Sequence, residues 1–277
     1  MAFPFFPPDN DPGPDFAGLL RRSGLAPAAP TEKLEGVTHG TTVIAIRYAD
    51  GVVMAGDRRA TSGHLISHRT MEKVYPADRH SGVAIAGAAG PAMEMVKLFQ
   101  LQLEHYEKVE GVELSLEGKA NQLSQMVRNH LPAAMQGMAV VPLFAGYDLR
   151  RRAGRLFQYD ITGGRYEEAD FATTGSGSLH AGTAIKLGYG HDMGREATLD
   201  LAISALFQAA DEDSATGGPD LVRGIYPTMA TITGNGFESV PETEIAERFR
   251  GLLDRLATPE STATTGATPS MNGGEQS

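Results

Sequence analysis

Cysteine is absent from this 277-residue chain. Disulfides and thiolate metal sites are therefore excluded, which is compatible with a reducing compartment. Basic charge is scarce: 24 Lys and Arg stand against 34 Asp and Glu, a formal net charge of −10. A chain that grips phosphate backbones wants a basic face, so a general nucleic-acid role is disfavoured. No apolar run reaches the roughly 18 residues that a membrane-spanning helix needs. The opening residues, Met1 to Pro8, have neither the basic start nor the unbroken apolar core of a secretory signal. What is left is a soluble chain long enough for one large domain or two small ones.

Residues 1–40 differ from the rest. Pro, Gly and Asp dominate the first fifteen positions, and Ala26-Pro27-Ala28-Ala29-Pro30 reads as an extended linker. From Thr41 to Ala60 two strands are expected, joined by a turn at Asp50-Gly51. A further hairpin is expected over 65–86. A helix over 91–109 follows, with Pro91 in its first turn and Met93, Val96, Gln100, Leu103 and Tyr106 on one face. Glu104, His105 and Glu107 match no zinc spacing and read as a solvated helix face.

A second helix is expected over 116–135, where Pro132 ends or kinks it. Residues 139–147 read as a buried strand despite Pro142. Residues 155–161 and 166–173 read as a hairpin around Gly163-Gly164. Gly175-Ser176-Gly177-Ser178 opens a third helix toward Leu187; no Gly-Lys-Ser/Thr follows, so the phosphate-loop signature is incomplete. A fourth helix is expected over 195–210, a hairpin over 225–240, and a final helix from Pro241-Glu242 to Ala257. Beyond it the chain is Ser, Thr, Gly and Pro with little apolar content, and reads as a disordered tail over 258–277.

Gly40 directly precedes Thr41, and the β-branched run from Thr42 to Ile46 follows. A Gly-Thr bond at the head of a strand is a place where a chain can cut itself. Thr41 would then carry a hydroxyl nucleophile and a free α-amine as its base. Such an amine has a reference pKa of roughly 7.7–8.0, so much of it is basic near neutral pH. Taken alone, these residues fit a loop entering a strand better than a cleavage site, because Gly-Thr pairs are common.

Further segments follow in order: Gly51 to Arg59, Lys73 within Met71 to Tyr75, Ala84 to Gly90, Gly175 to Ser178, and Asp213 to Gly218. Their order and spacing resemble the β subunit family of the 20S proteasome. His105 to Lys108 and Asp211 to Arg223 resemble its actinobacterial type. The likeness runs over roughly residues 41–257. It implies an α+β chain folded as a four-layer αββα sandwich, two antiparallel sheets flanked by helices, the Ntn-hydrolase fold. It also implies a propeptide over 1–40, removed at Gly40–Thr41, and a catalytic domain over 41–257.

The same resemblance assigns roles. Thr41 is the nucleophile, Lys73 lowers its pKa by charge, and Asp57 pairs with Lys73. Gly87 supplies an oxyanion-hole N–H. Ser176 and Asp213 lie beside the α-amine, although Ser176 reads equally well as a helix N-cap. Thr216 stands where many relatives have serine. Taken as lone residues, Asp57 reads as a surface carboxylate neutralised by Arg58 and Arg59, and Lys73 as an exposed strand lysine. The wall for the residue before the cut maps to Ala60, Thr61, Met71, Ile85, Ala89 and Met93, which implies cleavage after large apolar residues.

The resemblance thus implies a cytoplasmic threonine endopeptidase with no metal or organic cofactor. Its partners would be an α-subunit ring, its own copies in two stacked heptameric rings, and an AAA ATPase feeding unfolded or tagged proteins. A non-catalytic ring subunit and the two-ring bacterial threonine peptidase are the rival readings. The length of residues 1–40 and the Asp213–Gly218 segment argue against the latter.

Overall fold

The first strand pair is buried on both faces, and the period of two explains how. In β1 (Thr42–Tyr48) and β2 (Gly51–Gly56) nearly every residue is buried. Ile44, Ile46, Val53 and Ala55 pack into one apolar layer, whereas Val43, Ala45, Val52 and Met54 pack into another. Alternate side chains of a strand point to opposite faces, so both layers are filled by the same two segments. The computed structural model describes residues 40–257. The segment expected to be a propeptide, apart from Gly40, and the expected tail over 258–277 lie outside the described residues.

The stretch expected to form one hairpin over 65–86 forms two. The exposed strand β4 (Leu65–His68) pairs with β3 (Ala60–Ser62), and β5 (Val74–Asp78) pairs with β6 (Ser81–Gly87). Burial divides them: β4 is exposed at every residue, while β6 belongs to the core.

Helix α1 (Ala89–Glu110) buries Ala92, Met95, Val96, Phe99 and Leu103. The expected face is therefore misaligned, because Met93 and Tyr106 are exposed. The helix carries apolar residues on more than one stripe, Leu98, Leu101 and Val109 among them, so periodicity alone does not choose. Helix α2 (Leu116–Asn129) stops short of the expected Met135. Pro132 lies instead in the separate turn α3 (Leu131–Ala134).

Strand β7 (Val140–Asp148) runs between β6 and β8 (Ala153–Tyr159), and it tolerates Pro142 for a register reason. Pro142 lies opposite Ile85, whose N–H bonds Lys73 O on the far side, away from β7. Pairing of β7 with β8 begins only at Leu143. The missing proline N–H thus leaves no ladder bond unmade.

The hairpin expected over 155–173 is split. β9 (Arg165–Glu168) pairs with β8, but β10 (Phe171–Gly175) crosses to pair with β1. Then follow α4 (Ser178–Gly188), α5 (Arg195–Glu212), β11 (Thr228–Thr233), β12 (Gly236–Ser239) and α6 (Glu242–Ala257).

The described residues thus form two five-stranded antiparallel sheets, ordered β10-β1-β2-β11-β12 and β5-β6-β7-β8-β9. Three apolar layers hold them. α4, α5 and α6 pack on the first sheet, and α1 and α2 pack on the second. The two sheets pack on each other through Val43, Met54, Ala84, Leu143 and Leu156. This is the expected four-layer sandwich. Phe99 and Phe144 meet edge to face at 5.8 Å under α1. Burying each such ring contributes about 1.5–3 kcal/mol.

Candidate active site

Sheet register gathers the site. Thr42 lies opposite Gly175, and Val43 lies opposite Gly56. Residues just before β1, just after β2 and just after β10 therefore share one end of the first sheet. That places Thr41, Asp57 and Ser176 together, and Asp213 closes α5 beside them. Lys73 precedes β5 and Gly87 ends β6, both at the same end of the second sheet.

Asp57 is fully buried and Lys73 is 1% exposed. Lys73 Nζ donates to Asp57 Oδ1 at 2.7 Å, to Arg59 O at 2.6 Å and to Gly40 O at 3.4 Å. All three ammonium protons thus have acceptors. The carboxylate is equally well held: Oδ1 also accepts from Thr42 N at 2.8 Å, and Oδ2 accepts from Arg59 N and Gly217 N, both at 2.9 Å. The readings of Asp57 as a surface carboxylate and Lys73 as an exposed lysine do not fit. The Arg58 side chain reaches Glu242 and that of Arg59 reaches Ser214 O, so neither neutralises Asp57. Burial pushes the Lys73 pKa down, and the charge and hydrogen bond of Asp57 only partly offset it.

Thr41 is 4% exposed and still follows Gly40, so its nitrogen here is a peptide amide standing where the α-amine would be. That N–H donates to Ser176 Oγ at 3.4 Å, and Ser176 N donates to Thr41 O at 2.8 Å. Ser176 Oγ and Thr216 Oγ1 both donate to Asp213 Oδ2. Burial works to raise the Asp213 pKa, but these hydrogen bonds and one from Ala215 N outweigh it, and the carboxyl lies below its ordinary range. Ser176 does not cap α4: the cap position is Gly177, with no side-chain cap bond.

Two glycines are fixed sterically. A Cβ on Gly40 would lie 1.9 Å from Ala215 Cβ and 2.6 Å from Ala215 O. Gly40 N donates to Thr61 Oγ1 at 3.1 Å, so the residue before Thr41 is held on both sides. Gly87 has φ +112°, and a Cβ there would lie 2.1 Å from Ala139 O. By strand alternation its N–H points the same way as that of Ile85, which bonds Lys73 O.

The residues expected to form the substrate wall divide. Ala60, Thr61 and Ile85 are buried, Met71 and Ala89 are partly exposed, and Met93 is 42% exposed. Met71 N bonds Arg58 O and Ile85 N bonds Lys73 O, which ties both to the site. Ala89 and Met93 lie four residues apart on α1, Ala89 at the margin of the helix's buried stripe and Met93 further out toward the exposed side.

Sequence reasoning missed three contributors: the Arg59 main chain, the Gly217 N–H, and Thr42. The first two act through backbone atoms, which leave no residue-type signal. Thr42 was hidden as one β-branched residue in a strand.

A family model described as "Proteasome subunit" matches residues 37–222, two thirds of the chain. The chain belongs to the proteasome subunit family. It is 55% identical to a "Proteasome subunit beta" of Acidimicrobium ferrooxidans, over 89% of this chain and 92% of that one. It is 58% identical to a protein of the same name from Streptomyces griseus, over 78% and 77%. A third such protein, from Jonesia denitrificans, is 52% identical over 80% and 74%. The chain is therefore a proteasomal protease subunit of the β kind, a component of a ring complex. No helix among the described residues is long and apolar enough to cross a membrane.

Proposed function

We propose that this β subunit is a threonine endopeptidase whose nucleophile, Thr41, is freed when the chain cuts its own Gly40–Thr41 bond. The observation that carries this reading is the buried Lys73 ammonium, held by Asp57 and Arg59 O and directed at the Gly40 carbonyl. In processing, Thr41 Oγ attacks that carbonyl, the amide nitrogen leaves as an amine, and water hydrolyses the resulting ester to release residues 1–40. In turnover, Thr41 Oγ attacks a substrate carbonyl while its proton passes to the new α-amine and then to the leaving amine. Water next hydrolyses the acyl ester. Lys73 favours the developing negative charge, and the Gly87 N–H supports the tetrahedral oxygen.

On this reading residues 1–40 are a propeptide, and the assembly is a pair of stacked β rings capped by α rings in the cytoplasm, fed by an ATPase. No step calls for a metal or organic cofactor. Thr41→Ala is expected to assemble with residues 1–40 attached and to cleave no peptide. Normal maturation of that variant, with no other protease present, overturns the reading.

The wall of Ala60, Met71, Ile85, Ala89 and Met93 carries no charge. Burying an unpaired charged side chain against it costs several kcal/mol, whereas a leucine or aromatic ring gains about 1.5–3 kcal/mol. Peptides differing only at the residue before the cut are expected to show higher kcat/KM after Tyr, Phe or Leu. Equal cleavage after Glu or Arg refutes the preference.

A further inference from the structure

We infer that Thr42 is a positioning residue for the proposed reaction, coupling the two carboxylates that flank Thr41; the inference rests on the threonine-peptidase reading above. Thr42 is fully buried. Its N–H donates to Asp57 Oδ1 at 2.8 Å, and its Oγ1 lies 2.6 Å from Thr216 Oγ1. The direction of the second bond follows from its neighbours. An ionised Asp213 only accepts, so Thr216 must donate its single hydroxyl proton there. Thr216 is then left with lone pairs alone toward Thr42, and Thr42 donates. Thr42 Oγ1 in turn accepts from Gly177 N at 3.0 Å.

The result is one directed chain: Gly177 N–H to Thr42, Thr42 to Thr216, Thr216 to Asp213. Asp213 Oδ2 also takes the Ser176 hydroxyl proton, which leaves Ser176 Oγ a lone pair for the Thr41 nitrogen. Thr42 thereby sets the orientation of the group that receives the future α-amine. Gly177 has to be glycine for this contact, since a Cβ would lie 2.5 Å from Thr42 Oγ1 and 2.8 Å from Thr216 Oγ1. A chain of hydrogen bonds polarises its members cooperatively in a buried setting.

The test compares Thr42→Val, which keeps the shape and removes the hydroxyl, with Thr42→Ser, which keeps the hydroxyl. Both are made in the full chain, co-assembled with its native partner, and checked by intact mass. Thr42→Val is expected to lower kcat by about tenfold, the effect of one lost hydrogen bond at the upper end of its range, with KM nearly unchanged. The acid limb of its kcat–pH profile should move to lower pH, because Ser176 Oγ, the acceptor for the ammonium, is then less firmly oriented through Asp213. Thr42→Ser should restore both. A Thr42→Val complex that keeps residues 1–40 while Thr42→Ser matures also supports the role, since only the hydroxyl differs. A matured Thr42→Val with native kcat and native pH profile overturns it, as does equal impairment of both variants. Wild-type protein that fails to hydrolyse peptide, or to be acylated on Thr41 by a β-lactone, instead overturns the underlying reading.

Discussion

At one end of the sandwich Lys73 lies against Asp57, 1% and 0% exposed; at the other, Arg155 lies 6% exposed among Glu117, Asp148 and Glu167. β6 and β7 each run from one of these ends to the other. Both ends bury a cation among carboxylates, yet the outcome differs in sign. Burial pushes Lys73 down. Hydrogen bonds that Arg155 donates to Glu167 above all, then to Glu117, push Arg155 up. Arg155 grips Glu167 through two parallel bonds of 2.6 Å, a fork that lysine does not offer. On the proposed reading, lysine suits the end where charge is to be tuned. Arginine suits the end where it is only to hold elements together, here α2 with β8, β9 and the end of β7.

The sharpest way to break this contrast is Lys73→Arg. It keeps the charge but has a pKa that does not adapt, and its planar head does not fit three acceptors arranged for an ammonium. Fully processed complex carrying Lys73→Arg, Lys73→Met or Asp57→Asn is expected to lose at least about 10²-fold in kcat/KM, the scale of one misplaced electrostatic group. Near-native turnover in Lys73→Arg removes the tuning argument.

A smaller effect is expected at the opposite end. Arg155→Leu should lower stability by about 1–3 kcal/mol, read from the urea midpoint, because charged hydrogen bonds are lost. The cost stays moderate because Glu117 and Glu167 are more than 40% exposed and recover water. Activity per Thr41 should stay within about twofold of native, given ordinary context scatter. A large loss of activity without a loss of stability contradicts a purely structural role.

The smallest effect is in pH dependence. Hydrogen bonds from Arg155 hold Glu117 and Glu167 below their usual range; Asp148 lies low too, its hydrogen bonds overcoming burial. For acids with depressed pKa, the unfolded chain binds more protons over the window between the two values. Their stabilisation is present above the ordinary values of 4.5 and 3.8 and is lost as pH falls through the folded ones. The urea midpoint of the native protein should therefore fall below about pH 4.5, and Arg155→Leu should flatten that slope. Lys73 works in the opposite window: its depressed pKa adds stability above 10.5, lost as pH falls through the folded value. An unchanged acid slope in Arg155→Leu shows that other groups dominate it.

The two ends also differ in legibility. Thr41, Asp57, Lys73, Gly87, Ser176, Asp213 and Thr216 were marked by the resemblance of ordered motifs, and the structure brings all of them but Gly87 into one hydrogen-bonded cluster, joined through Thr42. The Arg155 cluster left no trace, because Glu117, Asp148 and Glu167 lie on separate elements with no shared spacing. Met93 is expected on one face of α1 with Val96 and Leu103, yet those two are buried and Met93 is exposed, since that helix has several apolar stripes and only the sheet beneath it selects one.

Local chemistry by itself determined most elements: alternation for β1 and β2, glycine turns between strands, and proline ending α2. It also raised Thr41 as a candidate nucleophile, although only the resemblance carried by several distant segments gave that reading its weight. Tertiary structure alone decided what lies far apart in the chain. β10 leaves its expected hairpin for β1, and by doing so sets Ser176 against Thr41, 135 positions away. The same register turns the Thr42 hydroxyl toward Thr216, 174 positions away. The physical reason is that periodicity records which face of a segment avoids water, while the partner of each buried polar group depends on which strand lies beside it and in what register.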